Sequence, residues 1–128
     1  MRDYFFIREK GKYVKIDFHD IMYVEGCKNY LKIVTPGKAY LVLLTMKKLE
    51  QLLPSWSFKR GHKSFIVSLD RISEFDSEIV YLKDKHIPIG EQYKGVLERS
   101  VLIAQGEVNE KAFPLSTYSM PLRVTKAS

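Results

Sequence analysis

The residues best suited to chemistry lie in one segment, Phe58-Lys59-Arg60-Gly61-His62-Lys63-Ser64-Phe65-Ile66-Val67. Four cationic or potentially cationic side chains fall within five residues there, and an apolar stretch follows at once. Lysine and arginine in such a loop bind phosphates, while serine hydroxyls and backbone N–H groups add neutral contacts. Because side chains alternate between the faces of a strand, Phe65 and Val67 are expected to anchor the segment in the core. A loop held on a rigid β scaffold can also reach base edges in the major groove.

A second loop, Gly26-Cys27-Lys28-Asn29-Tyr30, presents a cation, an amide and an aromatic ring. Asparagine is suited to adenine, and lysine to guanine or phosphate. Positive charge is concentrated in this part of the chain. Residues 26–72 hold nine Lys and Arg against two acids, whereas the remainder holds twelve against thirteen. This asymmetry favours a polyanionic partner, although a solvated basic face without a partner is the alternative.

Signatures of catalysis and metal binding are scarce in the sequence. His19, His62 and His86 lie far apart, and no HExxH or CxxC spacing is present. The glycines form no phosphate-cradling loop, and no Gly-x-Ser-x-Gly motif occurs. His62 and Ser64 lie two residues apart in a predicted strand without an orienting acid, so we interpret His62 as a partly buried ring with one hydrogen bond. We therefore expect no enzyme activity, no cofactor and no metal.

Length and composition favour a single globular domain. The chain has 128 residues, of which 45% are apolar, which is enough for one hydrophobic core. Its longest apolar run, Ala39 to Leu44, has six residues, far short of the roughly 20 of a transmembrane helix. The start of the chain does not resemble a signal peptide. Cys27 is the only cysteine and fits a reducing compartment. We expect a cytoplasmic protein with no membrane partner.

Short strands dominate the first hundred residues. The predicted strands are Tyr4–Ile7, Lys12–Ile16, Ile21–Glu25, Asn29–Thr35, Ala39–Leu44, Ser57–Arg60, Ser64–Val67, Arg71–Phe75, Glu78–Leu82 and His86–Ile89. One helix is predicted from its N-cap Thr45 to Leu53, and a second from Glu91 to about Ala104. This pattern favours a mainly β fold, an antiparallel sandwich or barrel-like structure with one or two short helices. The domain is predicted to span residues 1–104, with residues 105–128 as a C-terminal tail.

Four fragments follow one another along the chain in a distinctive order and spacing. They are Ile21-Met22-Tyr23-Val24-Glu25-Gly26 followed by Asn29-Tyr30, then Met46-Lys47-Lys48-Leu49-Glu50-Gln51-Leu52-Leu53-Pro54, then Phe58 to Val67, and finally Ile87-Pro88-Ile89-Gly90 with Tyr93. Together they resemble the LytTR-type DNA-binding domain, the output module of many bacterial response regulators. The resemblance runs from about Tyr4 to Val101. It implies an elongated all-β fold that inserts loops, rather than a recognition helix, into successive grooves of bent DNA.

The resemblance also implies three DNA-contact regions. They map onto Lys28, Asn29 and Tyr30, onto Arg60, His62, Lys63 and Ser64, and onto Glu91, Gln92 and Lys94. The third region departs from the family, which often has Ser-Arg where Gly90-Glu91 stand. Because a glutamate cannot pair with a phosphate, we assign Glu91 to capping the following helix, with acceptance from a cytosine N4 as the alternative. Gln92 and Lys94 are then the DNA-facing groups.

The function implied is sequence-specific binding of double-stranded DNA at paired direct repeats, in a two-component-type transcription regulator. Family members are typically joined to an N-terminal receiver domain, to which we assign no segment of this sequence, and the resemblance is compatible with a homodimer on DNA. Two other functions stay open. One is a β-barrel-like module for single-stranded nucleic acid or RNA, in which Tyr30, Phe65 and Tyr81 stack on bases. The other is a protein-interaction module whose basic face binds an acidic partner.

Overall fold

The computed structural model describes residues 2–109, and all the strand pairs in that part of the chain are antiparallel. The strands are β1 (Tyr4–Glu9), β2 (Lys12–Asp17), β3 (Tyr23–Cys27), β4 (Tyr30–Val34), β5 (Ala39–Val42), β6 (Phe58–His62), β7 (Phe65–Ser68), β8 (Glu74–Phe75), β9 (Ile79–Tyr81) and β10 (His86–Pro88). The helices are α1 (Met46–Leu52) and α2 (Val96–Ser100). This confirms the predicted antiparallel β fold with two short helices.

A five-stranded sheet in the order β5-β4-β3-β7-β6 forms the centre of the domain. Strands β1 and β2 pair as a hairpin, and β8, β9 and β10 form a second, three-stranded sheet. The alternation predicted for β4 is confirmed, since Leu31 and Ile33 are buried while Tyr30, Lys32 and Val34 are not. Such alternation is what a strand with two different faces requires.

Among the described residues, two hydrophobic clusters make up the core, and both include residues of the central sheet. The helix-side cluster contains Ile33, Leu49 and Ile66, and the β1–β2 hairpin also packs into it. The hairpin-side cluster contains Val67, with Val80 and Ile87 from the small sheet. Ile66 and Val67 are adjacent on β7, so consecutive side chains of that strand enter different clusters. The predicted anchoring of the basic segment by Phe65 and Val67 is confirmed, because both side chains are buried.

Helix α1 forms where the sequence predicts it. The Thr45 hydroxyl oxygen accepts a hydrogen bond from the backbone N–H of Lys48 at 3.1 Å, and Thr45 is the N-cap. Leu49, on the inner face of the helix, is fully buried, and Pro54 follows the C-cap Leu53. A proline there cannot continue the helix.

The second predicted helix is present, but its predicted bounds, from Glu91 to about Ala104, are wrong because the helix is much shorter. A single 3-10 turn covers Glu91–Tyr93, and α2 begins only at Val96. Between them Gly95 adopts a φ of +84°, in the left-handed region, and a right-handed helix cannot pass through that conformation. The long helix that Glu91 was expected to cap therefore does not exist.

The predicted strand Arg71–Phe75 is also wrong in its first half. Residues Leu69–Arg71 form a 3-10 turn, and β8 begins at Glu74, where pairing with β9 starts. The Arg71 guanidinium donates to the backbone oxygen of His19 at 2.8 Å, so this turn is tied to the chain before β3.

Within residues 2–109, no helix combines the length and the apolar character needed to cross a membrane. The C-terminal tail predicted for residues 105–128 lies mostly outside the described residues. That boundary stays a prediction.

Candidate nucleic-acid interface

The first predicted contact region is a two-residue hairpin turn. Lys28 and Asn29 connect β3 to β4, whose end residues Cys27 and Tyr30 pair. Lys28 has a φ of +58°, a left-handed conformation that is uncommon for residues other than glycine but is required in the tightest hairpin turns. Both turn residues are exposed, as is Tyr30. The hairpin therefore presents a cation and an amide to solvent at the end of a rigid sheet.

The second region is the turn between β6 and β7. A β-bulge between Arg60 and His62 interrupts the pairing of these strands and leaves Gly61 without a partner in the ladder. The backbone N–H of Ser64 donates to Nδ1 of His62 at 3.0 Å, and the His62 ring lies edge-on to Phe65. The interpretation of His62 as a partly buried ring with one hydrogen bond is confirmed. Lys63, at the tip of the turn, is exposed.

Arg60 is held by protein groups instead of extending into solvent. Its Nε donates to the backbone oxygen of His62 at 3.0 Å, and its Nη2 donates to that of Lys63 at 2.6 Å. Its Nη1 forms a 2.6 Å ion pair with Glu50 of helix α1. The role of Arg60 as a direct DNA contact stays a prediction, but its guanidinium already has three acceptors.

Backbone hydrogen bonds join the three regions into one edge. The N–H of Gly26 donates to the oxygen of Ser64 at 2.8 Å, which ties the first region to the second. The N–H of Gly90 donates to the oxygen of Gly61 at 2.9 Å, which ties the third region to the second. Segments that are far apart in sequence are thus brought together with fixed spacing.

Gly90 allows the third region to approach the second closely. A Cβ at Gly90 would lie 3.5 Å from the His62 Cα and 3.2 Å from Cδ2 of Tyr93. Glu91 and Gln92 are exposed, and they line a shallow depression together with His62 and Lys63. Gln92 is therefore beside Lys63 at the same edge. Glu91 occupies the first turn of the short 3-10 helix, whose N-cap residue is Gly90.

The Lys94 side chain contacts the β8–β9 connection and not the edge formed by the three regions. Its ammonium lies 2.7 Å from the backbone oxygen of Ser77 and 3.0 Å from Oε1 of Glu78. It does not line the depression that contains Gln92. Its predicted contact with DNA has not been tested, and its charge is already paired in this structure.

One basic residue at the edge was not among the sequence-based candidates. Lys48 lines a depression with Lys28, Asn29, Lys63 and Ser64, between the first and second regions. The sequence carried a signal for it, because α1 has no acidic residue in its first turn and has lysines there instead. Cations at a helix N-terminus are unfavourable for the helix dipole, which suggests another use for their charge.

Three lysines of this edge, Lys28, Lys48 and Lys63, form no ion pair in the described part of the chain. By contrast Lys32, Lys38 and Lys85 lie within ion-pair distance of glutamates. The described part of the chain also contains no cluster of three His, Cys, Asp or Glu side chains that could hold a metal ion. The edge is thus suited to phosphates.

The aromatic residues proposed as a stacking platform do not form one. Phe65 is only 9% exposed and belongs to the hairpin-side cluster. Tyr81 packs edge-on against His86, with ring centroids 4.6 Å apart. Tyr30 is 43% exposed and is the only ring of the three that solvent reaches freely. Base stacking needs accessible rings in succession, and these residues do not supply them.

Comparison with known proteins identifies relatives in sequence and a neighbour in fold. Residues 11–101 match the family model described as the LytTr DNA-binding domain. The chain is 28% identical over 96 residues to the sensory transduction protein LytT of Bacillus cereus, covering 70% of this chain and 39% of that protein. It is 38% identical over 63 residues to the heme-containing CO-sensing transcriptional regulator RcoM 2 of Paraburkholderia xenovorans, covering 49% of this chain and 24% of that protein.

A solved structure shares the fold. It is the LytTr DNA-binding domain of a methyl-accepting/DNA response regulator from Bacillus cereus, which aligns with a TM-score of 0.63 at 20% identity. The alignment covers 73% of this chain and 91% of that one. The chain spans well under half the length of the curated relatives it matches, 39% of LytT and 24% of RcoM 2.

Proposed function

The chain belongs to the LytTr DNA-binding domain family, and from this we propose that it binds double-stranded DNA sequence-specifically, with loops that enter the grooves. Such domains are typical output modules of response regulators. The observation that supports the proposal most is the single edge at which Lys28, Lys48 and Lys63 lie without acidic partners, beside Asn29 and Gln92. Lysines supply affinity for phosphates, and amides supply readout of bases.

The two kinds of contact have separate roles. Lys28, Lys48 and Lys63 would neutralise phosphates, and this fixes the position of the domain on the duplex without reading sequence. Asn29 and Gln92 carry side-chain amides, which can form paired hydrogen bonds with adenine in the major groove. Because both amides lie on loops fixed by backbone hydrogen bonds, their separation is set by the fold. Sequence preference is therefore assigned mainly to these two residues.

The wider assembly is part of the same proposal. We place the chain in a bacterial transcription regulator of the two-component type, acting in the cytoplasm where the chromosome lies. Two copies would occupy paired direct repeats, and a receiver domain would control them. The relatives with which the chain shares sequence include proteins named for sensory transduction and for transcriptional regulation.

The decisive experiment is selection of bound sites from a random duplex library at one fixed salt concentration. We expect an enriched motif that occurs twice in the same orientation. The matched control is an Asn29→Ala, Gln92→Ala double variant, which keeps every lysine of the edge. It should retain salt-dependent binding to duplex DNA while losing the preference for the enriched motif. A random set of recovered sequences from the wild-type chain would contradict sequence-specific binding.

The two remaining functions make different predictions in the same assay. A module for single-stranded nucleic acid would prefer a single-stranded competitor at fixed salt, but the burial of Phe65 argues against it. A module for an acidic protein partner would bind no DNA of any sequence at physiological salt. Duplex preference in the competition would exclude both.

A further inference from the structure

The carbonyl groups of the β6–β7 turn have an unusual partner. Strand β6 is at the edge of the central sheet, and the bulge at Gly61 interrupts its pairing with β7. The backbone oxygens of His62 and Lys63 therefore lie where the regular ladder ends. Arg60, from the same strand, donates to both of them, at 3.0 and 2.6 Å.

A guanidinium is suited to this arrangement because its N–H groups form a rigid, planar fork. In this structure Nε and Nη2 hold the two backbone oxygens, and Nη1 pairs with Glu50 at 2.6 Å. The Arg60 side chain is 21% exposed, and the Glu50 side chain is 41% exposed. The carboxylate orients the guanidinium and balances its charge, so helix α1 supports the turn from outside the sheet.

We propose that Arg60 and Glu50 are a positioning pair for DNA binding, which holds the turn carrying Lys63 in the shape that meets a phosphate. This rests on the proposed function and adds to it a role for an acidic residue. It also changes the role of Arg60 from a contact with DNA to a group that acts through Lys63. Three of the five N–H donors of the guanidinium are used within the protein, which leaves two, one on each terminal nitrogen, for any other contact.

The effect of Glu50 on affinity distinguishes this proposal from simple electrostatics. Removing an acidic charge from a protein that binds DNA strengthens binding when only the overall field matters. The positioning pair predicts the opposite for Glu50→Ala, because the loss of an orienting hydrogen bond to a charged group weakens affinity by about tenfold. Affinity for the selected duplex, or for a random duplex at low salt, measures this.

Glu9→Ala is the matched control. Glu9 forms a 3.5 Å ion pair with Lys38, near the β4–β5 turn, so its removal also deletes one acid and one ion pair. The control should bind DNA as tightly as the wild-type chain or slightly more tightly. Thermal unfolding of both variants establishes that the folded state is compared at the assay temperature.

Arg60→Lys tests the fork itself. Lysine keeps the positive charge, but as a single ammonium group it cannot hold two carbonyls and a carboxylate in one plane. If Arg60 positions Lys63, affinity falls about tenfold, and the salt slope falls by about 1 because the Lys63 contact is lost. In a Lys63→Ala background the same change should then have little further effect, since the two act through one contact. A direct phosphate contact by Arg60 predicts that lysine preserves both affinity and slope.

The outcomes separate the positioning pair from the proposed function. Failure of the wild-type chain to bind any duplex would contradict the proposed function. If the wild-type chain binds DNA and either Glu50→Ala or Arg60→Lys binds with full affinity, the positioning pair is overturned and the proposed function stands. We expect Glu50→Ala and Arg60→Lys each to weaken DNA binding. We expect Arg60→Lys to have little effect in the Lys63→Ala background, and Glu9→Ala not to weaken binding.

Discussion

The exposed lysines of the edge differ in how the backbone holds them. Lys28 is in the left-handed region with a φ of +58°, while Lys63 has an ordinary backbone in a turn whose carbonyls Arg60 binds. A non-glycine residue in the left-handed region costs about 1–2 kcal/mol. Lys10, in the β1–β2 turn, has a similar φ of +53°, so this backbone conformation does not by itself indicate a functional side chain. At Lys28 the side chain supplies the charge that the hairpin turn presents.

Lys63→Ala should weaken DNA binding and reduce the salt dependence. If Lys63 meets one phosphate, the slope of log affinity against log salt becomes shallower by about 1, because one fewer counterion is released. Equilibrium titrations of a duplex at several salt concentrations measure this. Lys83→Ala, an exposed lysine of the β9–β10 connection, is the control and should leave the slope unchanged. Unchanged affinity and slope for Lys63→Ala would remove this residue from the interface.

Lys28→Gly should separate stability from binding. Glycine adopts a positive φ without penalty but loses more conformational entropy on folding, so we expect a net stabilisation of about 0.5 kcal/mol. DNA affinity should fall because the charge is lost. Lys10→Gly is a close match, since Lys10 has a φ of +53° in the β1–β2 turn. It should stabilise the fold to a similar extent and leave DNA affinity unaltered. Denaturant unfolding and duplex titration of both variants test the comparison, and equal affinities for the two would contradict it.

At the scale of the elements, local patterns predicted most of the fold. Alternation identified β4, and an N-cap threonine with a proline beyond the end identified α1. The long second helix failed because helical spacing of apolar residues does not reveal that Gly95 has a positive φ. The network of Arg60 could not be predicted either, since Glu50 is brought to it from α1 by tertiary packing. The sequence predicted the loops of the candidate site, but not which of their cations bind groups of the protein itself.

Asp76 provides a test of the connection between β8 and β9. Its Oδ1 accepts from the backbone N–H groups of Glu78 at 2.7 Å and Ile79 at 2.8 Å. The pKa of this carboxyl is lowered from its ordinary value of 3.8. The largest cause is the hydrogen bond from Glu78, followed by the bond from Ile79, and the charge of Lys94 adds to them. A lowered folded-state pKa contributes stability that is present above the unfolded pKa and is lost as pH falls through the folded value.

Asp76→Asn should therefore be less stable than the wild-type chain at pH 7, with a gap that begins to shrink below about pH 4 and is lost as the pH falls through the lowered folded-state pKa. Asparagine keeps an acceptor oxygen, so the difference isolates the charge. Urea midpoints at pH 7 and at pH 3 measure the gap. Asp84→Asn changes an exposed aspartate in the next turn and should leave the midpoint unchanged. A gap of the same size at both pH values would show that Asp76 acts through shape and not through its charge.

At the scale of the whole molecule, the proposed DNA-binding edge depends on both halves of the core. The turn of Lys28 is on strands of the central sheet, and Gly90 follows the small sheet that packs through Val80 and Ile87. The backbone bond from Gly90 to Gly61 crosses between these parts. If the small sheet opened independently, the third contact region would separate from the second. The edge is therefore a fixed surface only if both clusters unfold together.

Ile33→Val and Ile87→Val test that cooperativity. Both side chains are fully buried, the first in the helix-side cluster and the second in the hairpin-side cluster, and each change should cost about 1 kcal/mol. Trp56, the only tryptophan, is 62% exposed and lines one depression with Phe18, which packs against the helix-side cluster, so we use its fluorescence as the probe of that region. In a two-state domain, Ile87→Val shifts the fluorescence transition as far as it shifts the far-ultraviolet circular dichroism. A fluorescence midpoint that responds to Ile33→Val but not to Ile87→Val would mean that the small sheet unfolds separately. Gln92 would then be held at the edge only while the small sheet stays folded.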